Sequence, residues 1–187
     1  MSVADDTNKR LQAVVTRLQM EHEPARYPPM PLGQHLALMR VDNIPTHFYR
    51  YLYDRVGRDW HWTAALQLSD SELEQRLSSE ANDVQVLYLD GAPSGFFELR
   101  DEDDSCRLVH FGLMKHAIGR GLSGWFLGCA IRAAWSRSKS RVTVETCTLD
   151  HPAALPLYQR AGFMPVERRD ESLIPLSEEA RRRALYR

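Results

Sequence analysis

A glycine-rich turn between an apolar strand and an apolar helix constrains the fold of this chain more than any other segment. Arg107 to Met114 (RLVHFGLM) has the composition of a strand, and Gly119-Arg120-Gly121 follows it after four residues. The apolar run from Leu122 to Ser136 then predicts a long helix. Because glycine accepts positive φ angles and leaves its backbone open to a ligand, the turn predicts a helix start with accessible N–H groups.

Unpaired N–H groups and the helix dipole favour a phosphate group at such a helix start, and Arg120 adds a positive charge. No GK[ST] sequence follows, so the turn is not a P-loop. Gly119, Gly121 and Gly124 have the GxGxxG spacing of a dinucleotide-binding fingerprint, with Glu145 near the expected acidic position. That fingerprint normally opens the first βαβ unit, whereas this one lies past the middle of the chain. An NAD site and a purely structural turn are therefore kept as alternatives.

The segments around the turn predict a mixed sheet. Three strands joined by tight turns predict an antiparallel meander over Val84–Leu89, Gly95–Arg100 and Arg107–Met114. After the long helix, Arg141–Thr148 predicts a strand, Pro152–Ala161 a helix and Phe163–Arg168 the beginning of a last strand. A helical crossover joins parallel strands, so the strands on either side of the long helix are expected to be parallel. The predicted class is α/β, with a mixed, mainly antiparallel central sheet and flanking helices.

The N-terminal half adds strands, a connector and two helices. Val14–Met20 favours a strand over a helix, and the four prolines between Glu23 and Gly33 predict an extended connector. His35–Val41 predicts another strand. A helix is expected to start near Pro45 and to end at Gly57. A shorter helix is expected over 71–79, with a capping box formed either by Ser69 with Glu72 or by a neighbouring residue. We divide the chain into an N-terminal extension with a possible strand (1–30), one main α/β domain (31–175) and a C-terminal helical tail (176–187).

Composition excludes several classes of function. With 24 Lys and Arg against 25 Asp and Glu, the net charge is −1, which argues against nucleic acid as a partner. The run Arg181-Arg182-Arg183 is instead interpreted as one exposed face of a terminal helix. Three separated cysteines indicate reduced thiols, and no HExxH-type spacing predicts a metal site. The polar start MSVADDTNKR and the lack of a long apolar run predict a cytoplasmic protein without a membrane span.

Two motifs in the right order and spacing resemble the GNAT N-acetyltransferase superfamily. Its [QR]-x-x-G-x-[GA] motif at the start of a helix corresponds to Ile118–Ser123, where Ile118 and Ser123 depart from the pattern. Its second motif, an Asn, an Ala and then Leu-Tyr-x-[KR]-x-Gly-Phe, corresponds to His151, Ala154 and 157–163, with His151 in place of Asn. The resemblance covers about Val84 to Glu167. It implies the acyl-CoA N-acyltransferase fold, with Asp150 as a substitute cap for the helix after His151.

The resemblance also implies which residues bind acetyl-CoA. The main chain of Leu113, Met114 and Lys115 would pair with the pantetheine arm, in the manner of an added strand. The pyrophosphate would lie on the backbone of the glycine turn and the first helical turn. The implied cofactor-binding residues are Leu113, Met114, Lys115, Ile118, Gly119, Arg120, Gly121, Leu122, Ser123, Gly124, His151, Ala154 and Tyr158.

Acetyl transfer to an amine needs a base for the amine and a proton donor for the leaving thiolate. Tyr158 stands where the family places that donor, although a tyrosine at this spacing also suits a helix core. Glu98 and His110 are candidates for the base. The two residues lie on adjacent predicted strands joined by a turn near Asp103. If the strands pair symmetrically about that turn, Glu98 lies opposite Leu108, and His110 lies two residues beyond Leu108 on the same face of the sheet. Alternatively, Glu98 contacts the acceptor or is simply a surface carboxylate beside an arginine. His110 is alternatively an ordinary strand histidine without a catalytic role.

Trp60, His61 and Trp62 follow the first helix, where GNAT proteins vary with the acceptor. Such a cluster suits an aromatic pocket for a cation or, equally well, core packing. Trp60, Trp62 and Glu98 are the predicted acceptor-binding residues, and Glu145 either pairs with an arginine or lines the cleft. The predicted activity is N-acetylation of a small-molecule amine by acetyl-CoA in a direct ternary complex. The alternatives are a protein N-acetyltransferase and a non-catalytic acyl-CoA-binding module; a homodimer is possible.

Overall fold

The computed structural model describes residues 10–187, so the N-terminal residues used to predict localisation lie outside the described residues, except for Arg10. The strands are β1 (Leu11–Met20), β2 (Leu36–Arg40), β3 (Asn82–Leu89), β4 (Ala92–Asp101), β5 (Ser105–Leu113), β6 (Arg141–Cys147) and β7 (Met164–Leu173). They form one seven-stranded sheet in the order β2-β3-β4-β5-β6-β1-β7. The N-terminal strand β1 therefore lies inside the sheet, antiparallel to both β6 and β7.

In the described part of the chain, six α-helices flank this sheet: α1 (Thr46–Gly57), α2 (Ala64–Gln67), α3 (Asp70–Leu77), α4 (Ser123–Trp135), α5 (Ala154–Arg160) and α6 (Glu178–Leu185). Side chains alternate across the strands, so the sheet separates two apolar cores. Phe96 packs with α1, α3 and α6, whereas its neighbour Phe97 packs with α4 and α5. None of the helices within residues 10–187 has the length and apolarity that a membrane crossing requires.

The predicted mixed, mainly antiparallel α/β sheet is confirmed. Strands β3, β4 and β5 form the antiparallel meander, and β5 and β6 on either side of α4 are parallel, as the crossover predicts. The capping box of Ser69 and Glu72 is also present at the start of α3. One detail differs from the sequence prediction: α2 is an additional short helix. The last strand begins at Met164, within the predicted segment, and its pairing with β1 continues to Leu173.

The interpretation of Arg181-Arg182-Arg183 as one exposed face is wrong for its first residue. The Arg181 side chain is only 5% exposed, and its Nη1 lies 2.8 Å from Oδ1 of Asp54, a residue of α1 that is itself 3% exposed. Arg58 pairs with the other oxygen of the same carboxylate at 2.9 Å. A buried charge needs such a partner, so this ion pair fixes the C-terminal helix against α1.

We expect Arg181→Met to destabilise the protein by about 2–3 kcal/mol, because it leaves the buried Asp54 carboxylate with Arg58 alone. The exposed neighbour Arg182 gives a matched control, and Arg182→Met is expected to change stability by less than about 0.5 kcal/mol. Urea unfolding of the two variants and the parent protein measures both values. Equal stabilities of the two variants would contradict the structural role of the Arg181–Asp54 pair.

Candidate active site

The site is built where two parallel strands separate. β5 and β6 pair only from Ser105 with Arg141 to Leu108 with Val144, although both strands continue. The separation coincides with a bulge in β5: Leu108 pairs with Leu99, but the next paired residue, His110, faces Glu98. The extra residue, Val109, forms a β-bulge, and a bulge bends the strand that contains it. The result is a gap between the second half of β5 and the end of β6.

Two clefts meet at this gap. The first, here called the aromatic cleft, has a volume of about 360 Å3 and is walled by Trp60, Trp62 and His110. The second, the glycine-loop cleft, has a volume of about 370 Å3 and runs past Gly119, Gly121 and the start of α4. Five residues line both clefts: Phe111, Gly112, Leu113, Ala154 and Tyr158. The two clefts therefore form a continuous passage across the sheet.

The glycine loop keeps the start of α4 accessible. Gly119 and Gly121 have φ angles of +81° and +74°, which side chains rarely tolerate, and a Cβ on either would meet open space. Leu122, the residue before α4, makes no side-chain cap, and the first helical N–H to find a helical acceptor is that of Phe126, bonded to Leu122 O. The N–H groups of the first turn are thus available to an anion at the end of the helix dipole.

The edge of β5 offers its backbone to the same passage. The Met114 N–H donates a hydrogen bond to Ser94 O on β4. Because successive residues of a strand direct their N–H and C=O groups to opposite sides, those of Leu113 face away from β4, toward the gap. The Met114 side chain is buried in the core beneath α1, and Lys115 starts a short 3₁₀ turn that leaves the strand geometry. Of these three predicted pantetheine-binding residues, only Leu113 lines the glycine-loop cleft.

The other predicted cofactor-binding residues divide between two places. Seven of them line the glycine-loop cleft together with Tyr158: Ile118, Gly119, Gly121, Leu122, Ser123, His151 and Ala154. Arg120 is exposed and does not line this cleft, and its carbonyl accepts a hydrogen bond from Gln34 Nε2 at 3.2 Å. Gly124 lines a neighbouring cavity beneath the proline-rich connector.

Tyr158 lies at the junction of the two clefts. Its ring packs against Phe111 and Phe163, with centroid distances of 6.3 and 6.0 Å. Burial, reinforced by the negative charge of Asp150, raises the pKa of the Tyr158 hydroxyl well above its ordinary value. The hydroxyl therefore stays protonated at neutral pH and can donate a proton or a hydrogen bond into the passage.

His110 lines the aromatic cleft and is held from behind by Glu98. The His110 Nδ1 lies 2.7 Å from Glu98 Oε2, and Tyr49 OH donates to the same oxygen at 2.5 Å. The imidazole packs between Tyr53 and Trp62, each at a centroid distance of 5.0 Å. With Nδ1 engaged by a carboxylate, Nε2 is the ring nitrogen left to accept a proton, an arrangement that fits a general base.

The structure corrects two expectations about Glu98. Its register partner is His110 rather than Leu108, because the turn is centred after Asp103 and the bulge adds one residue to β5. Glu98 is also fully buried and lines neither cleft, so a direct contact with an acceptor or a reacting proton does not fit this placement. Of the two candidate residues, only His110 reaches the aromatic cleft, and Glu98 contacts it from behind.

Glu98 is an ionised buried carboxylate. Burial by itself raises its pKa, but the hydrogen bond and charge of His110, the charge of Arg76 and the hydrogen bond from Tyr49 outweigh burial and lower the pKa below its usual range. Arg76 Nη2 lies 2.8 and 3.0 Å from the two carboxylate oxygens, and Arg100 reaches Oε1 at 3.3 Å. These contacts explain how the negative charge of Glu98 is tolerated in the protein interior.

The predicted aromatic cluster forms one wall of the aromatic cleft. Trp60, His61 and Trp62 all line it, and Trp60 packs edge-on against His151 at 5.0 Å. Trp62 reaches its position because α1 ends in glycine: a Cβ at Gly57 would lie 2.3 Å from Trp62 Cγ. The tryptophans are partly exposed, so they serve both as packing and as cleft wall.

Asp150 is a cleft residue whose position the sequence interpretation missed. It was expected to cap α5, but its Oδ2 accepts from Thr146 Oγ1 at 2.7 Å and from Cys147 N at 2.9 Å, at the end of β6. Its Oδ1 faces Trp62 Nε1 at 3.4 Å. The ring of His151 instead accepts from Ala153 N at 3.0 Å, near the start of α5. No cap pattern in the sequence distinguishes these two roles.

Glu145 was predicted either to pair with an arginine or to line the cleft, and it does both. It lines the aromatic cleft, and it pairs with Arg107 at 2.8 Å and with Arg169 at 2.9 Å. The hydrogen bond from Arg169, followed by the charges of Arg107 and Arg169, lowers the pKa of Glu145 despite partial burial. The far end of the cleft therefore carries a fixed ion-pair network that joins β5, β6 and β7.

Within residues 10–187, no cluster of His, Cys, Asp and Glu is arranged to hold a metal ion.

Solved structures of acetyltransferases share this architecture. A tandem GNAT protein from the clavulanic acid biosynthesis pathway matches with a TM-score of 0.60 and 14% identity, over 88% of this chain and 55% of that one. The IAA acetyltransferase of Bacillus cereus matches with a TM-score of 0.55 and 18% identity, over 71% and 79% of the two chains. An aminoglycoside N-acetyltransferase in complex with CoA matches with a TM-score of 0.53 and 16% identity, over 74% and 94%.

This chain has the GNAT fold. At these identities the likeness shows the fold alone. No protein-family model and no curated protein sequence matches the chain. The chain spans 64%, 51% and 55% of the length of three of the solved structures that share the GNAT fold with it.

The lowered pKa of Glu98 predicts a pH-dependent contribution to stability. Because the folded-state pKa lies below the unfolded value of about 4.5, the stabilisation is fully present above that value and is lost as the pH falls toward the folded-state pKa. We expect Glu98→Gln to unfold at a lower temperature than the parent at pH 7, with the difference shrinking below pH of about 4. Thermal unfolding between pH 3 and 7 measures this, and a difference that grows on acidification would contradict it.

Proposed function

We propose that this protein is an N-acetyltransferase that transfers the acetyl group of acetyl-CoA to a primary amine of a small molecule in a ternary complex. The observation that carries the proposal is the meeting of two clefts at Tyr158, in the gap between β5 and β6. One cleft offers exposed backbone N–H groups, and the other offers an imidazole held by a carboxylate. A passage of this form lets two substrates approach one point from opposite sides.

The glycine-loop cleft suits the diphosphate and pantetheine of acetyl-CoA. The loop at Gly119 and Gly121 leaves the first turn of α4 open to a diphosphate, without a Cβ in the way. The unpaired edge of Leu113 suits the amide groups of the pantetheine arm, which would replace the missing strand partner. The thioester then lies beside Tyr158, where the cleft passes into the aromatic one.

The aromatic cleft suits a small amine. Trp60, Trp62 and Tyr53 present ring surfaces to it, which suits a cationic ligand. Asp150 adds a carboxylate, whereas the Glu171 carboxylate already pairs with Arg169 at 2.7 Å. Glu145 and its arginines close the far end. The cleft volume of about 360 Å3 accommodates a metabolite-sized acceptor.

The chemistry follows from the two groups at the junction. The amine nitrogen attacks the thioester carbonyl as its proton passes to His110 Nε2, directly or through water, while Glu98 stabilises the resulting imidazolium. The C–S bond then breaks, and Tyr158 donates its proton to the departing thiolate of CoA. A new amide bond replaces the thioester, and the proton taken by His110 passes through water to the Tyr158 phenolate, so that both groups return to their starting states.

Tyr158→Phe tests the proton donor. We expect kcat for thiol release to fall by about 100-fold, because general acid catalysis contributes at least that much, while CoA affinity changes by less than about twofold. Thiol release with a panel of primary amines measures the rate, and calorimetry measures the affinity. A parent protein that binds CoA but releases no thiol with any amine would indicate a binding module and contradict the proposal.

His110→Gln tests the base. The glutamine amide accepts no proton at neutral pH, so we expect a loss of about 100-fold in kcat with little change in CoA affinity. His116, an exposed histidine outside both clefts, provides the control. Full activity of His110→Gln, or an equal loss for His116→Gln, would rule out His110 as the base.

A further inference from the structure

A side chain from the N-terminal half of the chain holds the glycine loop. Gln34 lies between the proline-rich connector and β2, and its Nε2 donates a hydrogen bond to the carbonyl oxygen of Arg120 at 3.2 Å. The two residues are 86 positions apart in the sequence. Within residues 10–187, no other hydrogen bond involves Gly119, Arg120 or Gly121. This contact, here called the Gln34 tether, therefore links the loop to a distant part of the chain.

The sheet fixes the position of Gln34. The next residue, His35, accepts a hydrogen bond through its carbonyl oxygen from the N–H of Asp90 at 2.9 Å. From Leu36 onward, β2 pairs with β3. The tether therefore starts from a rigid element, while the loop that it holds carries two glycines.

The tether sets the direction of the peptide group between Arg120 and Gly121. In a trans peptide group the C=O and N–H bonds point in opposite directions, and no peptide bond within residues 10–187 is cis. Because the Arg120 C=O is directed at Gln34, the Gly121 N–H points away from Gln34. Gly121 lines the glycine-loop cleft, whereas Gln34 does not.

The backbone of the loop does not hold this direction by itself. Reversing the peptide group would carry the φ angle of Gly121 from +74° to a negative value, and glycine adopts both signs about equally readily. A Cβ at Gly121 would meet nothing within 4 Å, so neighbouring atoms do not confine the residue on that side. The hydrogen bond from Gln34 is therefore what favours one direction of the peptide group over the other.

We propose that Gln34 is a positioning residue for the cosubstrate, because its tether keeps the Gly121 N–H directed at the diphosphate of acetyl-CoA before that ligand binds. The inference rests on the proposed function, since it needs a diphosphate on the glycine loop. Affinity falls with the fraction of the protein that has the binding-competent conformation, so loss of the tether weakens binding without removing a contact to the ligand. Gln34 lines neither cleft, and its effect reaches the ligand through the Arg120–Gly121 peptide group.

Calorimetry with CoA is the first test. Gln34→Met keeps the length of the side chain but donates no hydrogen bond, and we expect it to bind CoA about five- to tenfold more weakly than the parent. Gln75, an exposed glutamine of α3, is the matched control, and Gln75→Met is expected to bind CoA within about twofold of the parent. Equal CoA affinity of Gln34→Met and the parent would overturn the inference and leave acetyl-CoA use intact. A parent protein that binds no CoA would contradict the proposed function, and the inference with it.

Nuclear magnetic resonance is the second test, and it detects the direction of the peptide group without any ligand. In protein that contains isotope-labelled glycine, the amide signal of Gly121 reports the surroundings of its N–H. We expect this signal to be displaced or broadened in Gln34→Met, and also in Gln34→Glu, which keeps the shape of glutamine but loses the donor. An unchanged Gly121 signal in both variants would overturn the inference, because the loop would then hold its own orientation.

The same signal at saturating CoA separates positioning from structural damage. Since the bound diphosphate restores the direction of the peptide group, we expect the Gly121 signals of Gln34→Met and the parent to coincide once CoA is bound. Signals that stay apart would show a lasting change in the loop and would also contradict the role of Gln34 as a positioning residue.

Discussion

The rest of the site depends on the separation of β5 from β6 beyond Leu108 and Val144. Buried backbone groups are almost always paired, so a gap inside a sheet leaves an edge that water or a ligand must satisfy. Two features keep the gap open: the bulge at Val109 turns β5 away, and β6 takes β1 as its other partner along its length. The same gap connects the two faces of the sheet, which is why the glycine-loop cleft and the aromatic cleft share residues.

Behind the gap, a buried charge network gives His110 its orientation. Glu98 is fully buried and stays ionised because Arg76, Tyr49 and His110 all contact its carboxylate. Removing water from a carboxylate is costly, so partners from α1, α3 and β5 must all be in place before the charge is tolerated. The arrangement therefore couples the packing of the helices to the orientation of His110, the proposed base.

The sequence predicted the fold well because local signals agree with it: the hairpin at Asp90-Gly91, the glycine loop and the crossover helix α4 each act over a few residues. The detail of the site depends on contacts between distant residues. A bulge at Val109 leaves no local signal in the sequence. The predicted partner of Glu98 was therefore Leu108, two residues before the observed partner His110. The burial of Arg181 against Asp54 and the position of Asp150 at the end of β6 are likewise decided by tertiary packing that no single-sequence pattern reveals.

A crystal structure of the protein with CoA tests the central claim most directly. We predict the diphosphate on the backbone N–H groups from Gly119 to Ser123, the pantetheine along the open edge at Leu113, and the sulfur beside Tyr158 on the side that leads to His110. A CoA molecule bound elsewhere with the gap closed, or a gap filled by the protein's own side chains in the presence of saturating CoA, would contradict the account.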